Sequence, residues 1–90
     1  MTRQDVVIVN ALGLHARAAA RFVQVASRYR SRIVVSRDDT RSADGKSILG
    51  LLALLGGQGA RLAISAEGAD EREAVRALAD LVAARFGEPG

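Results

Sequence analysis

Gln4-Asp5-Val6-Val7-Ile8-Val9 runs into Asn10-Ala11-Leu12-Gly13-Leu14-His15 and then into Ala16-Arg17-Ala18-Ala19-Ala20-Arg21-Phe22-Val23. The three pieces follow different rules. The first is rich in β-branched residues, ends at Asn10 and reads as a strand over 4–9. The second carries a glycine and no apolar period, which predicts a loop over 10–15. The third predicts a helix over 16–29: Ala19, Phe22, Val23, Ala26 and Tyr29 recur at three- and four-residue spacing, while Arg17, Arg21, Gln24 and Arg28 fall on another face. Four of its first five residues are alanine, the strongest helix former.

The pattern continues outward from this strand–loop–helix. Arg32-Ile33-Val34-Val35-Ser36-Arg37 reads as a second strand, Asp38-Asp39 as a turn, and Thr40 to Ala43 as a short third strand. After the Asp44-Gly45 turn, Ser47 to Leu55 predicts a short helix with Ser47 as N-cap and Gly56-Gly57 as its stop. Residues 60–66 alternate as a fourth strand. Asp70-x-x-Glu73 has the form of a capping box opening a last helix. That helix has a buried stripe of Val75, Leu78, Val82 and Phe86, an Arg76–Asp80 pair one turn apart, and a stop at Gly87 before Pro89. The order β-α-β-β-α-β-α predicts an α+β fold: a two-layer open-faced sandwich with a four-stranded, mostly antiparallel sheet and three helices on one face.

Composition bounds the function. Ninety residues make one domain, 1–90, with one modest core and little room for a deep catalytic pocket. Aromatic residues are 3% of the chain, so that core must be aliphatic. The absence of cysteine excludes disulfides, zinc–thiolate sites and thiol chemistry, and one histidine argues against a metal site. No cofactor is expected. No run reaches the roughly 18 apolar residues of a membrane span, and the first residues lack the pattern of a secretory signal. A cytoplasmic monomer without membrane insertion is therefore expected. Residues 1–61 carry ten basic and four acidic side chains and residues 62–90 three and six, so one basic surface should meet an acidic or phosphorylated partner. Nucleic acid is the alternative, but the aromatic–basic interleaving of single-strand binders is missing.

His15 is the side chain best suited to chemistry near neutral pH. It stands at the start of an alanine-rich helix, where the first main-chain N–H groups lack helical partners and carry the positive end of the helix dipole. That position disfavours imidazolium, leaves a lone pair that can attack phosphorus, and stabilises the anion that results. Arg17, two residues on, can fork onto phosphate oxygens.

Gly13-Leu14-His15-Ala16-Arg17-Ala18-Ala19-Ala20 resembles the phosphorylation-site motif of the HPr family, the histidine-containing carriers of bacterial phosphotransferase systems. Gly45-Lys46-Ser47-Ile48-Leu49-Gly50-Leu51 resembles the family's second signature, and Ser65-Ala66-Glu67-Gly68 also fits. The resemblance implies the HPr-like fold, phosphorylation of His15 on Nδ1 by Enzyme I, and onward transfer to a IIA-type protein. In this reading Arg17 shields the phosphate, and the chain is a phosphocarrier rather than an enzyme. Ser47, a helix cap on its own chemistry, is by resemblance the serine that an HPr serine kinase/phosphatase modifies in some lineages.

Ile48, Leu49, Leu51, Leu52, Leu54 and Leu55 are too many for one buried stripe on a short helix, so part of the run should be exposed for a partner. By resemblance Ala16, Ala20, Arg21 and Gln24 join Leu49, Leu52 and Ala53 in that surface. Two positions depart from the common family pattern: Ala18 replaces a frequent proline, and Leu12 a small polar residue. Both resemble the regulatory, nitrogen-type branch, in which phosphorylation state controls partners.

Overall fold

The computed structural model describes residues 1–38 and 40–90. Among them, four strands and three α-helices follow the expected order: β1 (Thr2–Val7), α1 (Ala16–Ala26), β2 (Arg32–Ser36), β3 (Ser42–Asp44), α2 (Ile48–Ala53), β4 (Arg61–Glu67) and α3 (Glu71–Ala83). The sheet order is β1-β4-β2-β3, antiparallel at every junction. Thr2 faces Ala66 and Val7 faces Arg61 across the first pair, while Ile33 faces Ala66 and Val35 faces Ile64 across the second. The expected turn at Asp38-Asp39 involves a residue, Asp39, outside the described ones.

One face of the sheet carries the helices. Ile33, Val35, Leu62, Ile64 and Ala66 point into it and meet Ala18, Ala19, Phe22 and Ala26 of α1, Leu51 of α2, and Ala74, Val75, Leu78 and Val82 of α3. Small alanines on the inner sides of α1 and α3 let the helices sit close to the sheet, and Phe22 and Phe86 fill the remaining space.

Four local readings are corrected. Helix α1 ends at Ala26, not at residue 29: Arg28 and Tyr29 continue as a tighter turn, with the Tyr29 N–H donating to the Ala26 carbonyl at 3.1 Å. The capping box at the start of α3 does not form. The Asp70 carboxylate accepts instead from the main-chain N–H groups of Arg30 (2.9 Å) and Ser31 (3.0 Å) and from the Ser31 hydroxyl, tying the exit of α1 to the entry of α3. The neighbouring Glu71 takes over at the helix start, accepting from the Gly68 N–H, the Thr2 hydroxyl (2.6 Å) and the Met1 amino group (3.1 Å). Finally, the chain reverses before Gly87. Helix α3 stops at Ala83, and Arg85, Phe86 and Gly87 all have left-handed φ values of 59°, 54° and 79°. Phe86 therefore reaches the core from a turn rather than from the helix, and it is completely enclosed. Among the described residues Arg76 and Asp80 form no ion pair.

The left-handed turn decides where the last residues of the chain lie. Two non-glycine residues, Arg85 and Phe86, hold that conformation, at a cost of about 1–3 kcal/mol each. Burying the Phe86 ring contributes roughly 1.5–3 kcal/mol, and hydrogen bonds to the tail add to it, so the reversal is held by its contacts.

Candidate functional site

His15 is the N-cap of α1, with extended backbone (φ −82°, ψ 179°). Its carbonyl accepts the first helical bond, from the Ala19 N–H at 2.8 Å, and its Nδ1 accepts from the Arg17 N–H at 3.3 Å. The ring thus caps the helix with the nitrogen lone pair that the sequence reading assigned to phosphorus. The side chain is 28% exposed, open enough for a partner to reach.

The loop before it is built to hold this position. The Gly13 N–H donates to the Asn10 carbonyl (3.1 Å) and the Leu14 N–H to the Gly56 carbonyl (2.7 Å), which ties His15 to the end of α2. Gly13 has φ +68°, and a side chain there would put its first carbon 2.6 Å from the Gly56 carbonyl oxygen. The fully buried Asn10 closes the loop by donating its side-chain amide to the Gly13 carbonyl at 2.8 Å.

A residue the sequence reading did not single out completes the site. The tail after Phe86 folds back across the start of α1, and Glu88 meets the Nε2 of His15. Its other carboxylate oxygen accepts from the Asn10 amide at 2.9 Å. The His15 and Asn10 hydrogen bonds hold the Glu88 carboxyl below the usual carboxylate range, so it faces the ring as an anion. The guanidinium of Arg21 donates to the Phe86 carbonyl, and the Ala11 N–H to the Gly90 main-chain oxygen at 3.0 Å. The ring is therefore addressed from both sides, by the Arg17 N–H at Nδ1 and by a carboxylate at Nε2. To the expected helix end and Arg17 the structure adds this carboxylate. In the sequence Gly87 and Pro89 mark the end of the last helix, but not where the tail lands, against a histidine 73 residues earlier.

The other expected site residues sort by exposure. Arg17 lies exposed on the first turn of α1, beside His15 through its main chain. Ala16 and Gln24 are exposed and Ala20 is half-buried; Arg21 is half-buried and engaged with the tail. Ser47 caps α2 as expected, its Oγ accepting from the Gly50 N–H at 3.0 Å. The apolar excess on α2 divides as anticipated: Leu51 and Leu54 are buried, while Leu49 (80% exposed), Leu55 and Ile48 remain outside. Leu52 is half-buried and Ala53 exposed. Helices α1 and α2 pack against each other. An open cleft of about 600 Å³ elsewhere is lined by Arg3, Arg37, Arg41 and Arg61 among others, and by none of the residues around His15. No helix among the described residues is long and apolar enough to cross a membrane.

An open-faced antiparallel sandwich that presents a part-exposed, helix-capping histidine has the form of a phosphocarrier. Residues 2–84 match the family model described as the PTS HPr component phosphorylation site. The chain is 47% identical over 88 residues to the phosphocarrier protein HPr of Neisseria meningitidis serogroup A and 46% identical to that of Pseudomonas aeruginosa, with 98% of each chain covered in both comparisons. A crystal structure of HPr from Thermoanaerobacter tengcongensis superposes with a TM-score of 0.94 at 46% identity, covering 100% of both chains. The chain belongs to the HPr family of phosphotransferase-system phosphocarriers, which carry a phosphoryl group rather than act as enzymes.

Proposed function

We propose that this single-domain carrier works as a cytoplasmic monomer, takes a phosphoryl group from phospho-Enzyme I on His15 Nδ1 and delivers it to a IIA-type protein. The observation that carries the proposal is the His15 ring at the α1 N-cap, with Nδ1 accepting from the Arg17 N–H of the first helical turn. When phosphorus arrives, the Arg17 N–H that now faces Nδ1 is free to turn to a phosphoryl oxygen, and the helix dipole stabilises the new charge. The exposed Arg17 guanidinium can close over the remaining oxygens. Phosphoryl transfer needs chiefly alignment and charge stabilisation, which two docked surfaces supply without a pocket.

Ala16, Ala20, Arg21 and Gln24 with Leu49, Leu52 and Ala53 form the partner surface in this reading. Small side chains on α1 let a partner helix approach, and the exposed Leu49 supplies an apolar anchor. Ser47, at the N-cap of α2, is the candidate regulatory site. A phosphoryl group there would bring negative charge to the edge of that surface and weaken docking to an acidic partner.

The test is phosphorylation with labelled phosphoenolpyruvate, Enzyme I and candidate IIA proteins. Label on His15 that chases to a IIA protein, and is lost in a folded His15→Ala variant, is the expected result. Label on another residue of that variant would refute the assignment.

A further inference from the structure

We propose that Glu88 is a positioning residue for phosphoryl transfer, holding the Nε2 proton of His15 so that Nδ1 is the nucleophile during loading and a neutral imidazole is the leaving group during unloading. The inference deepens, and rests on, the reading of His15 as the acceptor.

The geometry around the ring assigns its two nitrogens. An N–H, that of Arg17, points at Nδ1, so Nδ1 carries the lone pair. A carboxylate oxygen, that of Glu88, points at Nε2, so Nε2 carries the proton. Glu88 is itself fixed: its side chain is 11% exposed, and Asn10 donates to its second oxygen. Asn10 accepts a penalty for this role. Its Oδ1 is buried without a partner, because the amide nitrogen is committed to Gly13 and Glu88. The strap that delivers Glu88 is anchored on one side by the Phe86 ring in the core and the Arg21 guanidinium on the Phe86 carbonyl, and on the other by Gly90 on Ala11. An extended chain would not bring a carboxylate here; three consecutive left-handed residues turn it.

The electron count assigns the carboxylate its part. In loading, the Nδ1 lone pair forms the new N–P bond, and the donor's bond to phosphorus breaks with its pair staying on the donor. The ring, keeping its Nε2 proton, becomes formally cationic beside the Glu88 carboxylate. In unloading, the Nδ1–P pair returns to Nδ1 and the ring leaves neutral, its proton still on Nε2. Without a partner for that proton the phosphorylated ring releases it more readily, and an unprotonated phosphoimidazole is the poorer donor. The ring meets the Glu88 carboxylate from the strap and the main-chain N–H of Arg17 from α1, while the nearby Arg21 guanidinium is engaged with the Phe86 carbonyl. Glu88 is thus the charged side chain that meets the Nε2 proton and can hold it in place.

The full-length chain, Glu88→Gln and Glu88→Ala are compared by two readouts. In the unphosphorylated parent, ¹⁵N NMR of the imidazole should show the Nε2–H tautomer above the ring's titration; a ring protonated at Nδ1 would overturn the proposal. The proteins are then phosphorylated with phosphoramidate, whose N–P bond breaks with release of ammonia, and loss of the phosphoryl group to water is followed against pH. Both variants should move the midpoint of the pH profile down by about one unit, which slows release roughly tenfold above the parent midpoint. Glu88→Gln keeps the shape of the contact without its charge, so a Glu88→Gln profile identical to the parent's would reduce Glu88 to a structural strap and sink the inference. Failure of phosphoramidate to label His15 in the parent would count against the acceptor reading instead.

Discussion

Replacing Gly13 by alanine tests how firmly the loop positions His15. The new methyl group would stand 2.6 Å from the Gly56 carbonyl oxygen and 2.8 Å from the Gly57 Cα. Both are main-chain atoms, so no side-chain rotation relieves the contact. Two penalties result. Holding a residue with a Cβ at φ +68° costs about 1–2 kcal/mol. Displacing Gly56 weakens its 2.7 Å bond from the Leu14 N–H, worth about 0.5–1.5 kcal/mol. The reduced freedom of the unfolded alanine chain offsets about 0.4–1 kcal/mol. The net loss is about 2 kcal/mol, against roughly 5–13 kcal/mol for a domain of this size. The variant should fold, with Tm lowered by about 8–16 °C and with slower phosphorylation of His15. Urea unfolding followed by circular dichroism measures the first effect. Gly57→Ala is the matched control, since its added carbon meets nothing within 4 Å, and it should stay within about 0.5 kcal/mol of the parent. A Gly13→Ala variant that unfolds at the parent's urea midpoint would refute the reasoning.

The same contacts set other expectations. Arg17→Ala should change stability by less than about 0.5 kcal/mol, because the side chain is exposed, yet slow phosphoryl transfer from Enzyme I; equal rates by rapid-quench kinetics would remove Arg17 from the mechanism. Phe86→Ala should lose about 3–5 kcal/mol, and hydrogen exchange should show residues 85–90 opening before the sheet does. Glu71, held at about 2 by the Thr2 hydroxyl and the Met1 amino group, has a lowered folded-state pKa. Its stabilisation is therefore present above its ordinary value of 4.5 and is lost as pH falls from there toward about 2. Urea midpoints measured across that range should fall with pH more steeply in the parent than in Glu71→Gln, and parallel slopes would show that the carboxylate is not held as described.

Where the sequence was readable, the reason was periodicity or a local rule. The alternation over residues 60–66 and the stripe through Val75, Leu78 and Val82 are set by burial on one face, and the structure buries Leu62, Ile64 and Ala66 with that stripe. Ser47 could be read as a cap because a cap needs only the three residues after it. His15 was legible for the same reason, with its loop on one side and its helix on the other. Asp70 misled because a carboxylate at a helix start has two choices. The local one is its own helix, and the distant one, with two N–H groups and a hydroxyl from residues 30–31, offers more bonds. Glu88 was illegible for a related reason: nothing in its neighbourhood along the chain marks a histidine 73 positions earlier as its partner.

The order β1-β4-β2-β3 also sets a timetable for synthesis. Strand β1 leaves the ribosome first, but its only neighbour in the sheet is β4, which begins at Arg61. At ~5–20 residues per second, translation takes roughly 3–11 s to cover that gap. During that interval the nascent chain can close the β2–β3 hairpin and little more of its sheet. The carboxylate that meets the His15 ring comes later still, at residue 88. A half-made carrier thus displays its histidine on an unfinished scaffold, and the contact at Nε2 forms only after every strand of the sheet has been translated.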